Sequence, residues 1–223
     1  TPSGWWWQPW VNTVAYYPLD STNTVNDLSG NNRTLTSNWN VLFWTYGGVD
    51  SCYINIWQLT ASLSPTITDG DWFTLSIFYY EESSPQYDNG SLLGLCYNNG
   101  LGASNWLVRA NWRPDNKIWV IWYWSWNWPV YASPTVYSTN LSSWNHYCYV
   151  SDNWTWYFYV NGVLYNSFSI DTISRNLIAI SRSADLNRSI IWYISNAIIE
   201  DKARTSQEIS DYYNQTKWDY WIS

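Results

Sequence analysis

Two β-type runs meet at Asn161-Gly162, and that dipeptide constrains the chain more than any other pair in it. A two-residue hairpin of type I′ needs positive φ at both central positions, which Asn and Gly adopt cheaply. The flanking runs, Trp156-Tyr-Phe-Tyr-Val160 and Val163-Leu-Tyr-Asn-Ser-Phe168, are aromatic and β-branched, as strands prefer. One strand earlier, Asp152-Asn153-Trp154-Thr155 occupies the matching turn. There Trp154 stands where Gly belongs, because a bulky residue takes positive φ only at a cost.

The composition makes this misfit general. The chain holds 21 Trp, 20 Tyr and no Met. Its 10 Gly in 223 residues are about 4.5%, below the usual figure of about 7%. A turn-rich β protein should lie above that average. Two readings stand: an indole displayed at a turn tip, or, as a single hypothesis for both departures, a source organism that reads UGA as Gly, with Trp written at those codons. Only a subset of the Trp would be affected.

Charged residues are 12% and the net charge is −7, so nothing attracts a phosphate backbone and nucleic acid is excluded as a partner. Asn, Ser and Thr replace the missing charges, which fits an extracellular or cell-surface protein. The longest apolar run, 118–124, is far short of the roughly 18 residues a membrane span needs. The chain opens on Thr with no export signal, as a processed or truncated product would. Cys52, Cys96 and Cys148 are too few for a disulfide framework and read as buried small hydrophobes, though one bridge plus a free thiol stays open.

Residues 1–12 are of low complexity, an aromatic or linker-like arm, and a single domain spans 13–223. Strand signals fall at 14–17, 41–46, 52–59, 72–80, 92–97, 106–111, 117–124, 146–150, 156–160, 163–168, 177–180 and 190–199, separated by Asn, Asp, Gly and Pro clusters. Many strands without a βαβ rhythm predict an all-β fold, an antiparallel jelly-roll β-sandwich of two sheets. One short C-terminal helix is added by Thr205-Ser-Gln-Glu208, a capping box, followed by Ile209, Tyr212 and Tyr213 on one helical face. Trp218 then stands where a C-terminal Gly is usual.

The chain resembles laminin-G-like domains of the concanavalin A-like lectin/glucanase superfamily. The landmarks are Val14-Ala-Tyr-Tyr-Pro-Leu-Asp20 with Asp27-Leu-Ser-Gly-Asn31, Gly70-Asp-Trp-Phe-Thr-Leu-Ser76, Trp144-Asn-His-Tyr147 with Phe158-Tyr-Val-Asn-Gly-Val163, and Trp192-Tyr-Ile-Ser-Asn-Ala-Ile-Ile-Glu-Asp-Lys-Ala203. They span nearly the whole chain in the family's order and specify a fold, not a function. The resemblance places Gly where Trp154 and Trp192 stand and treats Trp72 and Trp144 as native. It also implies one structural calcium ion near the Asp27 loop, with Asp27 and carbonyls near Gly30 and Asn31 as ligands. Ile194-Ser195-Asn196 lacks both acids of the family's second calcium segment, leaving half a site; the alternative is that Asp27 only caps a turn.

Catalytic chemistry is sparse. The Glu-x-Asp-x-x-Glu strand of laminarinase-type relatives is missing, and the adjacent pairs Glu81-Glu82 and Glu200-Asp201 point to opposite strand faces. His146, the only His, has no evident nucleophile beside it and reads as a structural hydrogen-bonding residue. No zinc set exists. Six Asn-x-Ser/Thr sites carry little weight in so Asn-rich a chain. The sequence therefore predicts a non-catalytic carbohydrate-binding or adhesion module whose partners are glycans or surface proteins. The aromatic run Trp119, Trp122, Trp124, Trp126 and Trp128 supplies the platform, with Trp126 and Trp128 in a loop and the earlier ones shared with a buried strand. The alternative is a structural head domain of a pilus-like or other surface assembly, with self-assembly; a glycoside hydrolase comes last.

Overall fold

The computed structural model describes residues 11–23, 25–37, 41–55, 59–68, 72–81, 90–96, 104–109, 117–125, 128–131, 137–138, 143–169, 174–183 and 191–220. They form two antiparallel sheets, a helix and a terminal 3₁₀ turn.

Sheet A runs β14 (Val163–Ser169), β13 (Thr155–Val160), β12 (Trp144–Asp152), β6 (Phe73–Glu81), β16 (Ile191–Glu200), β4 (Val49–Asn55) and β3 (Leu42–Tyr46), with β1 (Thr13–Tyr17) also paired to β16. Sheet B runs β10 (Trp128–Tyr131), β9 (Lys117–Ser125), β8 (Ser104–Arg109), β7 (Gly90–Cys96), β15 (Ser174–Ser183), β5 (Leu59–Thr68) and β2 (Thr36–Ser37), with β11 (Tyr137–Ser138) on β9. The expected sandwich is present.

Its core lies between the sheets. Phe73, Leu75, Ile77 and Tyr79 from β6 meet Leu59, Ala61 and Leu63 from β5, Leu93 and Leu95 from β7, and Ile178 and Ile180 from β15. The period of two is clean in β6, so Thr74, Ser76, Phe78 and Tyr80 face the other way. That outer face of sheet A is covered by α1 (Ser206–Thr216), whose Tyr212 packs with Phe78, and by the 3₁₀ turn (Lys217–Tyr220), whose Tyr220 stacks on Phe78 at 3.8 Å and 1°.

The capping box forms as expected: Thr205 accepts from Glu208 N, and Glu208 accepts from Thr205 N. The C-terminal end differs. Lys217 keeps right-handed helical geometry and the chain tightens into a 3₁₀ turn containing Trp218, so no left-handed glycine position exists there. The predicted strand at 52–59 covers most of β4 and the first residue of β5. The rest of β5 falls outside the expected strands: Pro65 and a Ser/Thr-rich stretch weaken its pattern, although Leu59, Ala61 and Leu63 alternate into the core.

The turn argument holds at the backbone. Asn161 and Gly162 have φ of 50° and 78°, and Asn153 and Trp154 have φ of 46° and 73°. Trp154 thus carries positive φ, and its side chain is 43% exposed. The β3–β4 hairpin uses Gly47 and Gly48 for the same purpose, with φ of 56° and 80°. Trp192 pairs with Ile54 and Glu81 inside β16.

Candidate functional site

The predicted aromatic run forms the β9–β10 hairpin, where Trp128 opposes Ser125 and Pro129 opposes Trp124. Trp119, Trp122 and Trp124 lie on β9 and Trp128 on β10. Trp126 lies outside the described residues, as does any side-chain account of this hairpin. Asn89, Asn140 and Asn187 of the Asn-x-Ser/Thr sites lie outside the described residues; Cys52 and Cys148 are buried free thiols.

A second aromatic surface is fully described. On β3, Leu42, Trp44 and Tyr46 oppose Tyr53, Ser51 and Val49 of β4. Phe43 and Cys52 point into the core, which puts Leu42, Trp44 and Tyr46 on the outer face of sheet A. Trp44 is 57% exposed and Leu42 50%. Behind them the rings are held: Tyr46 stacks on Tyr193 at 4.3 Å and meets Tyr80 at 4.6 Å, and Tyr53 meets Tyr193 at 5.3 Å. Sequence reading missed this surface. Its signal was an apolar residue at every second position of a strand that also carries Phe43.

The Asp27 loop is held by its own hydrogen bonds. Asp27 Oδ1 accepts from Tyr16 N and Ser29 N, and Oδ2 accepts from Arg33 N, at 2.9–3.0 Å. Asn31 donates through Nδ2 to the Thr13 and Val14 carbonyls, and Arg33 Nη1 donates to the same Val14 carbonyl. Both Asp27 carboxylate oxygens therefore already accept backbone N–H groups, and the Asn31 amide and a cationic guanidinium crowd the loop. On the second segment, Ser195 donates to Pro18 O and Asn196 bridges Tyr16 and Tyr220. The residues do not fit a calcium shell of six to eight oxygens. Among the described residues no group of three or more His, Cys, Asp or Glu could hold a metal ion.

Beneath α1 lies a buried polar cluster. His146 Nε2 and Ser76 Oγ are 2.7 Å apart, and Tyr212 and Tyr213 rings cover the imidazole. Burial, with Arg204 nearby, lowers the His146 pKa to about 3, so the ring is neutral. Glu200 and Arg204 pair one helical turn apart in sequence, both fully buried, and the Arg204 guanidinium sits 5.1 Å from the Tyr212 ring centre. Burial raises the Glu200 carboxyl to about 7, with Arg204 pulling the other way. Ser76 and His146 have the atoms of a nucleophile–base couple, but helix and sheet seal them from any substrate. The structural role expected for His146 is the one it has.

No protein-family model matches the chain, and no curated protein sequence does. Solved structures do. Domain 4 of AbnA, a GH43 extracellular arabinanase from Geobacillus stearothermophilus in complex with arabinotriose, aligns with a TM-score of 0.66 at 17% identity, over 90% of this chain and 97% of that one. The fold is shared with binding domains. The binding domain of Paraclostridial Mosquitocidal Protein 1 aligns at 0.66 and 17% identity, and that of botulinum neurotoxin serotype D/C VPI 5993 at 0.70 and 13%. Each toxin alignment covers 92% of this chain, which spans 52% of the toxin domain. At these identities the likeness is one of fold.

Proposed function

We propose that the chain is a non-catalytic carbohydrate-binding module of a secreted or cell-surface protein, built on a laminin-G-like sandwich. The observation that carries this is the likeness, along nearly the full length of both chains, to an arabinanase domain solved with arabinotriose. An open face of Trp and Tyr rings supports it, since such rings stack on the apolar faces of sugars while their polar tips bond hydroxyls. The sealed Ser76–His146 couple supports a binding rather than a hydrolytic role. The self-sufficient Asp27 loop supports binding without calcium.

The test is a glycan-array screen of the intact chain, run in calcium and again in chelator. Binding in both is expected. Binding lost in chelator would restore calcium to the site, and no binding at all would overturn the reading.

One observation favours the second reading, a structural head domain in a surface assembly. Edge strand β14 exposes Val163, Leu164 and Tyr165, and an apolar edge is a template for pairing with another chain. Concentration-dependent association measured by light scattering, abolished by Leu164→Lys, is its signature.

A further inference from the structure

The outer side of sheet A is covered unevenly. α1 and the 3₁₀ turn pack through Tyr212 and Tyr220 on Phe78, His146 and Trp144, which belong to the two central strands β6 and β12. At the β3 edge the same face stays open, and among the described residues the Trp44 indole makes no ring contact and no hydrogen bond.

We infer that the face formed by Leu42, Trp44, Tyr46 and Tyr53 is the glycan site, and that it takes an uncharged oligosaccharide. This rests on the carbohydrate-binding reading above and gives it a place and a ligand class. The geometry suits a chain of sugars. Alternate residues of a strand lie about 6.8 Å apart, so Leu42, Trp44 and Tyr46 form a row along β3, with Tyr53 beside it on β4. The row is preorganised. Tyr46 and Tyr53 are wedged against Tyr193, and Tyr193 against Tyr80 at 6.1 Å, so little side-chain freedom is left to lose on binding. Gly47 and Gly48 close the hairpin tightly, which fixes the register that sets these rings side by side.

Charge selects the ligand class. Between Arg33 and Arg109 the sequence holds no Lys or Arg, so β3, β4 and β6 carry no cation; neither do β12 and β16. The chain as a whole is at −7. A sialylated or sulfated glycan finds no counter-charge on the strands that form this site and meets the field of a net-negative chain. A neutral one loses nothing.

The experiment measures binding of the intact chain to a neutral panel that includes arabinotriose, alongside sialylated oligosaccharides, for the parent and for Trp44→Ala, Tyr53→Ala, Trp128→Ala and Trp218→Ala. Unfolding temperatures confirm that each variant folds. Neutral binding is expected to weaken about tenfold or more in Trp44→Ala and Tyr53→Ala, a difference of about 1.4 kcal/mol. Trp218→Ala, at an exposed position on the 3₁₀ turn, is expected to bind like the parent. Binding kept in Trp44→Ala and Tyr53→Ala but lost in Trp128→Ala would move the site to the β9–β10 hairpin and leave the carbohydrate reading standing. Preference for sialylated ligands would overturn the charge argument. A parent chain that binds no glycan would overturn both the site and the function.

Discussion

Trp154 holds, at φ 73°, the left-handed backbone region that Gly162 holds at 78° in the next turn of the same sheet. The two residues do the same geometric work with opposite aptitude. A side chain in that region costs on the order of 1 kcal/mol or more. Trp154→Gly is therefore expected to stabilise the chain by about 1 kcal/mol, read as a raised urea midpoint. Gly162→Ala goes the other way, and further. Its Cβ would meet Tyr213 Cδ1 at 2.9 Å, so the variant is strained by φ and also pushes on α1. An equal response to the two substitutions would contradict the turn geometry.

The same backbone bears on the chain's origin. A glycine position filled by Trp, in a Trp-rich and Gly-poor sequence, is what translation of a reassigned UGA codon produces. Protein isolated from the source is predicted to have an intact mass below that of the written sequence by whole multiples of the Trp–Gly difference, with residue 154 among the affected positions. A mass matching all 21 Trp ends this reading.

Arg204 and Glu200 predict a large cost for breaking a pair and a small one for removing it. Arg204→Met leaves the Glu200 carboxylate buried without its cation, at about 3–5 kcal/mol. Adding Glu200→Gln to Arg204→Met is expected to recover most of that loss. Chemical denaturation of the two single variants and the double variant measures the coupling; additive losses would show that the pair does not act as a unit.

Acid should unfold the protein partly through His146. Its pKa falls from 6.5 to about 3 on folding, so the unfolded state binds a proton that the folded state refuses. Stability from this group is complete above 6.5 and is lost progressively as pH falls from there toward 3. Glu200, raised on folding, contributes with the opposite slope. Comparing the parent with His146→Gln isolates the histidine: the parent's advantage should shrink by a few kcal/mol across that window. A constant difference would mean that folding leaves the His146 pKa where it is in the unfolded chain.

Asp27 is predicted to stabilise its loop without metal. Asp27→Ala removes the acceptor of three backbone N–H groups, a loss of about 2 kcal/mol. The unfolding temperature of the parent is expected to be the same in calcium and in chelator. A drop in chelator that Asp27→Ala abolishes would identify Asp27 as a calcium ligand.

Features written into a few adjacent residues were legible in the sequence: the Asn161-Gly162 hairpin, the Thr205–Glu208 capping box, and β6 from its alternation. What failed depended on neighbours far along the chain. β5 hides behind Pro65 and its hydroxyls until β15 and β2 pair with it. The strand β3 is apolar on both faces, which in isolation reads as burial. Its place at the sheet's edge, beyond the reach of the helix, is what leaves Trp44 in water, and no local pattern encodes that. Trp126 and Trp128 drew attention because the sequence Ser-Trp-Asn-Trp-Pro reads as a loop; Trp44 sits mid-strand and did not.

Tyr220 lies flat against Phe78, deep in the outer layer, although only three residues follow it in the sequence. The last turn is thus a keystone and not a tail. Anyone trimming this domain for crystallography, or splicing it into another protein, has to cut beyond Tyr220. A shorter piece would bare the aromatic bed under the helix and present an adhesive surface unrelated to any ligand.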